Sequence, residues 1–200
     1  MNNEQLTIDN SNINLIKPMQ FAAMEVGHVY FYTATILNWK KLLEPDKYKD
    51  FIIDSLKHLV AKKKMKVYGF VIMRSAAQPN HIHIIWEMLA KNGKEMPHAS
   101  LMKYTGHQFL EDLQTNHPQV LPFFVVDSTT RMHHFWQRNS LPFLLDNEKT
   151  LVQKLNYIHN NPLQERWNLA VTAEDYKYSS ARFYGLSIDE FGFLTHWQDR

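Results

Sequence analysis

Two hundred residues, 44% of them hydrophobic and 13% aromatic, suffice for one domain with a real core, or one domain with an appendage. The lack of cysteine excludes a disulfide framework, a thiolate zinc site and a cysteine nucleophile, and makes a reducing, cytoplasmic setting the simplest expectation. A net charge of +2 does not by itself announce nucleic acid; no apolar run approaches the ~20 residues of a membrane span, and Met1 to Lys17 lacks the apolar core of a signal peptide.

Residues 1–18 are polar and aperiodic, and are expected to form a flexible N-terminal segment ahead of a domain over 19–186, with 187–200 as a C-terminal tail. Val29 to Leu37 is β-branched and aromatic and predicts the first strand. Asp46 to Lys64 predicts a helix, because Tyr48, Phe51, Ile52, Leu56, Leu59 and Val60 recur at three- and four-residue steps. Its Lys62-Lys63-Lys64 end suits the negative pole of the helix dipole. Lys66 to Met73 predicts a second strand, Arg74 to Asn80 a turn, and His81 to Met88 a third strand. Ser100 is a candidate cap for a helix over Leu101 to Leu113, which Asn116 to Pro122 ends. Phe123 to Asp127 and His133 to Gln137 are short strand candidates, and a helix from Glu148 to Asn160 stops at Asn161-Pro162. Strand, helix, strand, strand, helix, strand gives an α+β, ferredoxin-like sandwich, an antiparallel sheet with helices on one face.

The chemistry concentrates at Pro79-Asn80-His81-Ile82-His83. In a strand, alternate side chains share a face, so His81 and His83 point one way and Ile82 and Ile84 the other. Two imidazoles on one sheet face can hold a divalent metal, or can be half-buried, hydrogen-bonded strand residues. Downstream, Leu151, Leu155 and Ile158 make the buried stripe of the helix, and Tyr157 falls a quarter-turn from its centre. Asn161 lies one turn beyond Tyr157, and Lys154 shares that edge. Tyr157 is then either a boundary tyrosine with a wet hydroxyl or a nucleophile facing a metal.

Tyr157-Ile158-His159-Asn160-Asn161-Pro162 resembles the catalytic-tyrosine motif of the REP-associated tyrosine transposases, single-tyrosine relatives of the insertion-sequence-200 transposases within the HUH nucleases. Val71-Ile72-Met73 with Pro79-Asn80-His81-Ile82-His83 is similar to that family's histidine hairpin. Phe135-Trp136-Gln137, Gln153-Lys154-Leu155 and Glu174-Asp175-Tyr176 with Ser179-Ser180-Ala181 follow its pattern in order. The resemblance implies an HUH fold that cleaves and rejoins single-stranded DNA at hairpin-forming repeats through a 5′-phosphotyrosine. It implies His81, His83 and Asn161 as ligands of Mg²⁺ or Mn²⁺ and Tyr157 as nucleophile; a mixed nitrogen and oxygen donor set suits Mn²⁺ somewhat better. Homodimerisation is compatible with it. Two departures stand out: Arg74-Ser75-Ala76-Ala77-Gln78 intervenes between Met73 and Pro79, and Leu163-Gln164-Glu165-Arg166 replaces the family's small and basic residues.

Single-strand binding needs cations along a groove and aromatic faces for bases. Lys103, Arg131, Arg138, Lys154, Arg166 and Arg182 are candidate phosphate contacts, with Trp136 and Trp167 as stacking candidates. The competing reading is a domesticated, non-catalytic hairpin-binding protein of the same fold. A replication initiator or relaxase lacks support, because no second tyrosine or third histidine pattern accompanies the motifs. A metallohydrolase on His133-His134 is disfavoured because adjacent strand residues point to opposite faces.

Overall fold

A computed structural model describes residues 24–74, 80–126, 132–137 and 142–200. The flexible segment expected over 1–18 lies outside them, as do Arg131 and Arg138. Among the described residues the strands are β1 (Val29–Thr35), β2 (Met65–Met73), β3 (His81–Met88) and β4 (Phe143–Leu144). They form one antiparallel sheet in the order β2-β3-β1-β4. Helix α1 (Asp46–Ala61) joins β1 to β2 and α2 (Pro97–Asn116) follows β3. The helix α3 (Glu148–Asn160) follows β4. The chain is therefore an α+β protein with a ferredoxin-like sheet.

The alternation along β3 decides what each face carries. Tyr30, Tyr32 and Ala34 of β1 stand opposite Trp86, Ile84 and Ile82, and all six are buried. Tyr32 stacks on Trp86 at 4.9 Å, and His98 of α2 lies 6.2 Å from the Tyr32 ring, so α2 and its neighbour α1 cover this face. On α1, Tyr48, Ile52, Leu56 and Leu59 are buried as the periodicity requires, while Phe51 and Val60 sit half-buried at the stripe's edges. The other face carries Thr33 and Thr35 opposite His83 and His81, and α3 lies across it.

Several boundaries differ from expectation. Helix α2 starts at Pro97 rather than behind a Ser100 cap. Proline at the first helical position has its φ preset and lacks an N–H that would go unpaired there anyway. Ser100 Oγ instead accepts from Asn92 Nδ2 at 3.2 Å. Phe123 and Phe124, expected to begin a short strand reaching Asp127, instead end the 3-10 turn Pro118–Phe124, and Asp127 lies outside the described residues. His133 to Gln137 makes only isolated bridges, Val125 with His133 and Ile36 with Trp136. The fourth strand is Phe143–Leu144, just past Pro142.

The C-terminal stretch covers the outer edge of β2. Ile72 N–H donates to the Tyr178 carbonyl, Ser180 N–H to Phe70 and Thr195 N–H to Val67, at 2.9, 3.0 and 2.9 Å. These bonds occupy an edge that would otherwise be open to pairing with another chain. A short helix, α4 (Ala181–Leu186), lies between the contacts. Among the described residues no helix is long and apolar enough to cross a membrane.

Candidate active site

His81 and His83 enter the site from β3. Met73 stands directly opposite His81 and Val71 opposite His83 in the β2–β3 ladder. Ser75 to Pro79, which hold most of the departure noted above, lie outside the described residues. The two rings have centroids 4.6 Å apart and are nearly fully buried.

Helix α3 brings the second half. Asn147 caps it, its side chain accepting from Thr150 N–H at 2.9 Å. Leu151, Leu155 and Ile158 are buried against the sheet. The helix comes close because Gly69 has no side chain: a Cβ there would meet Leu155 Cδ1 at 2.5 Å and Ile158 Cδ1 at 3.1 Å. His159 fixes the helix further, its Nε2 2.8 Å from Ser180 Oγ, which in turn accepts from Phe70 N–H at 2.9 Å. Burial pushes the His159 imidazole down to about 4, so it is neutral at pH 7.

This docking sets Tyr157 beside His83, with ring centroids 5.5 Å apart. Tyr157 remains 40% exposed, so its ring touches the histidine face while solvent reaches the residue. Phe31 of β1 stacks on His83 at 5.2 Å and meets Tyr157 edge-on at 6.2 Å. Lys154, one turn before Tyr157, holds its ammonium 4.9 Å from the Phe31 ring centroid and 5.7 Å from that of Tyr157. Trp167 lies 5.3 Å from the His81 ring, and the Arg166 guanidinium packs 5.4 Å from Trp167.

Asn161 is 1% exposed at the end of α3. Its Oδ1 accepts from Gln164 Nε2 at 3.1 Å, and Gln164 Oε1 accepts from Arg166 Nε at 2.9 Å. Its Nδ2 is buried without a partner. One lone pair of Oδ1 is left over, which is what a ligand oxygen requires. His83 Nδ1 lies 2.7 Å from Thr33 Oγ1. When Nδ1 donates that proton, Nε2 keeps its lone pair, the arrangement that orients a metal-binding imidazole. Burial, then the neighbouring His81 and Lys154, hold His83 well below the ordinary imidazole range, so the ring stays neutral. His83 thus offers a neutral imidazole and Asn161 an amide oxygen, donor types that a divalent cation takes. No carboxylate joins them: among the described residues no three His, Asp or Glu side chains converge.

The structure gathers His81, His83, Tyr157 and Lys154 on one face, with Arg166 at its rim beside Trp167 and tied to Asn161 through Gln164. Three of the other expected contacts, Trp136, Lys103 and Arg182, lie elsewhere. Trp136 is buried, its Nε1 donating to Thr105 Oγ1 at 3.0 Å, so its ring is no stacking platform. Lys103 stands on α2, across the sheet from the histidines, and pairs with Glu95 at 3.0 Å. Arg182 pairs with Glu190 at 2.8 Å on the C-terminal side. Trp167 is nine-tenths buried and walls the site. Phe31, Thr33 and Gln164 were missed: an alternating strand marks Phe31 and Thr33 as sharing a face, but only the register assigns that face to His83.

No family model matches the chain, and no curated protein does. Among solved structures, that of a REP-associated tyrosine transposase bound to a REP hairpin is similar, with a TM-score of 0.54 and 17% identity. The match covers 89% of this chain and 93% of that one. At this identity the likeness carries the fold alone; the chemistry of the site rests on its own residues.

Proposed function

We propose that this protein is a metal-dependent nuclease that cleaves and rejoins single-stranded DNA, at hairpin-forming repeats, through a covalent bond to Tyr157. The observation that carries the reading is the Tyr157 ring 5.5 Å from a buried, neutral His83, brought together by elements 74 residues apart in the chain. The shared fold with a transposase that binds a REP hairpin supports DNA as the substrate.

Tyr157 Oη attacks the scissile phosphorus, and the bond to the 3′-oxygen breaks. The tyrosine proton passes to solvent, which reaches this 40% exposed residue. The 3′-oxygen departs and takes up a proton to become a hydroxyl, while the 5′-phosphate stays on the tyrosine. Rejoining is the reverse, with a 3′-hydroxyl attacking the phosphotyrosine and Tyr157 leaving. Lys154 is placed to offset phosphate charge beside the nucleophile. His81, His83 and Asn161 would hold Mg²⁺ or Mn²⁺, which when bound would supply Lewis-acid polarisation of the phosphate. Thr33 positions His83, and Gln164 with Arg166 positions Asn161.

The test is a covalent-adduct assay. Labelled single-stranded hairpin DNA from the gene's flanks is mixed with protein and Mn²⁺ and run on a denaturing gel beside Tyr157→Phe and His81→Ala. The expected result is an adduct that needs metal and disappears in both variants. An adduct that persists in Tyr157→Phe moves the nucleophile elsewhere. Hairpin binding without any adduct favours the non-catalytic binding protein.

A further inference from the structure

A cleft of about 610 Å³ opens away from the histidines, between the 3-10 turn Leu37–Trp39, the start of α1 and the turn Pro118–Phe124. Two large aromatic side chains are left in solvent on it: Trp39 is 64% exposed and Phe123 60%. Single exposed apolar residues need no explanation. Here two share one cleft with cations. Lys40 Nζ lies 5.1 Å from the Phe123 ring centroid, and Lys41 and His117 line the same space. No carboxylate lines it, and among the described residues neither lysine forms an ion pair.

Trp39 is held in this position at a cost. Asn38 and Trp39 both have left-handed backbones, with φ of 51° and 57°. That conformation is unfavourable for any residue with a Cβ, and it persists only where surrounding contacts enforce it. The contacts are present. Leu37 N–H donates to the Phe135 carbonyl at 2.7 Å. Lys49, fully buried, donates to the Leu43 and Glu44 carbonyls at 2.9 and 3.0 Å. Asn80 accepts twice from the same stretch, at its carbonyl from Ile36 N–H and at Oδ1 from Leu43 N–H, at 2.9 and 2.7 Å. Asn80 immediately precedes His81, so the aromatic loop and the histidine strand are fastened to one another.

We infer that this cleft is a stacking subsite for unpaired nucleotides of the strand whose phosphate reaches Tyr157. The inference rests on the function proposed above and adds where the substrate's bases are held. Exposed aromatic faces with unpaired cations are the chemistry of single-strand binding, because every base has a face to stack and every nucleotide a phosphate. A duplex offers such rings only its end pairs. Thr35 pairs with His81, and Trp39 is four residues on, so the cleft's Trp39 follows directly from the strand that borders the histidines.

The test compares equilibrium binding of two labelled DNAs by anisotropy: a hairpin with a short single-stranded tail and the same hairpin blunt-ended. Wild type is expected to prefer the tailed DNA. Trp39→Ala and Phe123→Ala are expected to weaken tailed binding roughly 10- to 100-fold each. Trp39→Phe, which keeps a ring, should retain most of it. Removing Lys40 and Lys41 should lower the salt slope of tailed binding by about 0.7 each. In a parallel experiment, 5-iododeoxyuridine in the tail should photo-crosslink to Trp39 or Phe123. Both aromatics are exposed, so thermal unfolding of the variants should match wild type. If wild type forms the metal-dependent adduct but Trp39→Ala and Phe123→Ala bind the tailed hairpin as tightly as it does, the subsite is overturned and the nuclease reading stands. If wild type binds neither DNA, both are overturned.

Discussion

Ile82 and Ile84 project from one face of β3 and His81 and His83 from the other, and the two faces are covered differently. On the first, α1 and α2 lie over a packed aromatic and aliphatic layer, with Ile82, Ile84 and Trp86 at 0 to 1% exposure. On the second, α3 lies over the sheet, close at Gly69, and its border holds imidazoles, an amide, an ammonium and a half-exposed tyrosine. The first face is built for burial, the dominant favourable term in folding. The second tolerates polar groups that burial penalises, and His83 stays neutral as a result. The same strands thus separate stability from chemistry by the alternation of their side chains.

That separation can be broken experimentally. The largest effect is expected from exchanging perturbations between faces. Tyr157→Phe should abolish the covalent adduct while changing unfolding free energy by less than about 0.5 kcal/mol, because the side chain is half-exposed. Phe109→Ala, on the opposite helix pair against Tyr48 and Phe135, should cost about 3–5 kcal/mol by urea denaturation yet leave adduct formation in the folded fraction. Loss of the adduct in Phe109→Ala would mean the faces are not independent.

Gly69→Val sharpens the comparison from the backbone side. It should cost about 1–3 kcal/mol by forcing α3 away, and should also depress adduct formation although it changes no residue of the site. A variant with wild-type adduct yield would show that α3 need not be so close. Thr33→Val removes the partner of His83 Nδ1, and calorimetry should find Mn²⁺ binding about 10-fold weaker. Thr33→Ser should bind as wild type does.

The smallest expected effect is a pH dependence on the packed face. Burial lowers the His98 pKa, and its Nδ1 has no partner. Below the ordinary value near ~6.5 the unfolded chain takes up a proton at this residue that the folded chain resists, so stability falls as pH drops through that window. His98→Leu should flatten the fall in denaturation midpoint between neutral and mildly acid pH. An unchanged slope would assign it to other histidines.

Sequence alone determined a good deal of this. Alternation placed His81 and His83 together, because side-chain direction in a strand is a local property. The 3.6-residue period placed Tyr157 at the border of the α3 stripe for the same reason. What sequence could not supply was everything that depends on which segments meet. The edge strand Phe143–Leu144 has two residues and owes its existence to β1, so no local pattern announces it. Trp136 has the composition of a stacking residue, yet a hydrogen bond to Thr105 buries it. Trp39, between β1 and α1, is a ring left in solvent. Thr33 and Phe31 join the site only through the β1–β3 register, and Gly69 matters only because a helix that begins 79 residues on lies over it. Side-chain direction is written in the local backbone; which face is closed, and by what, is decided by packing between distant segments.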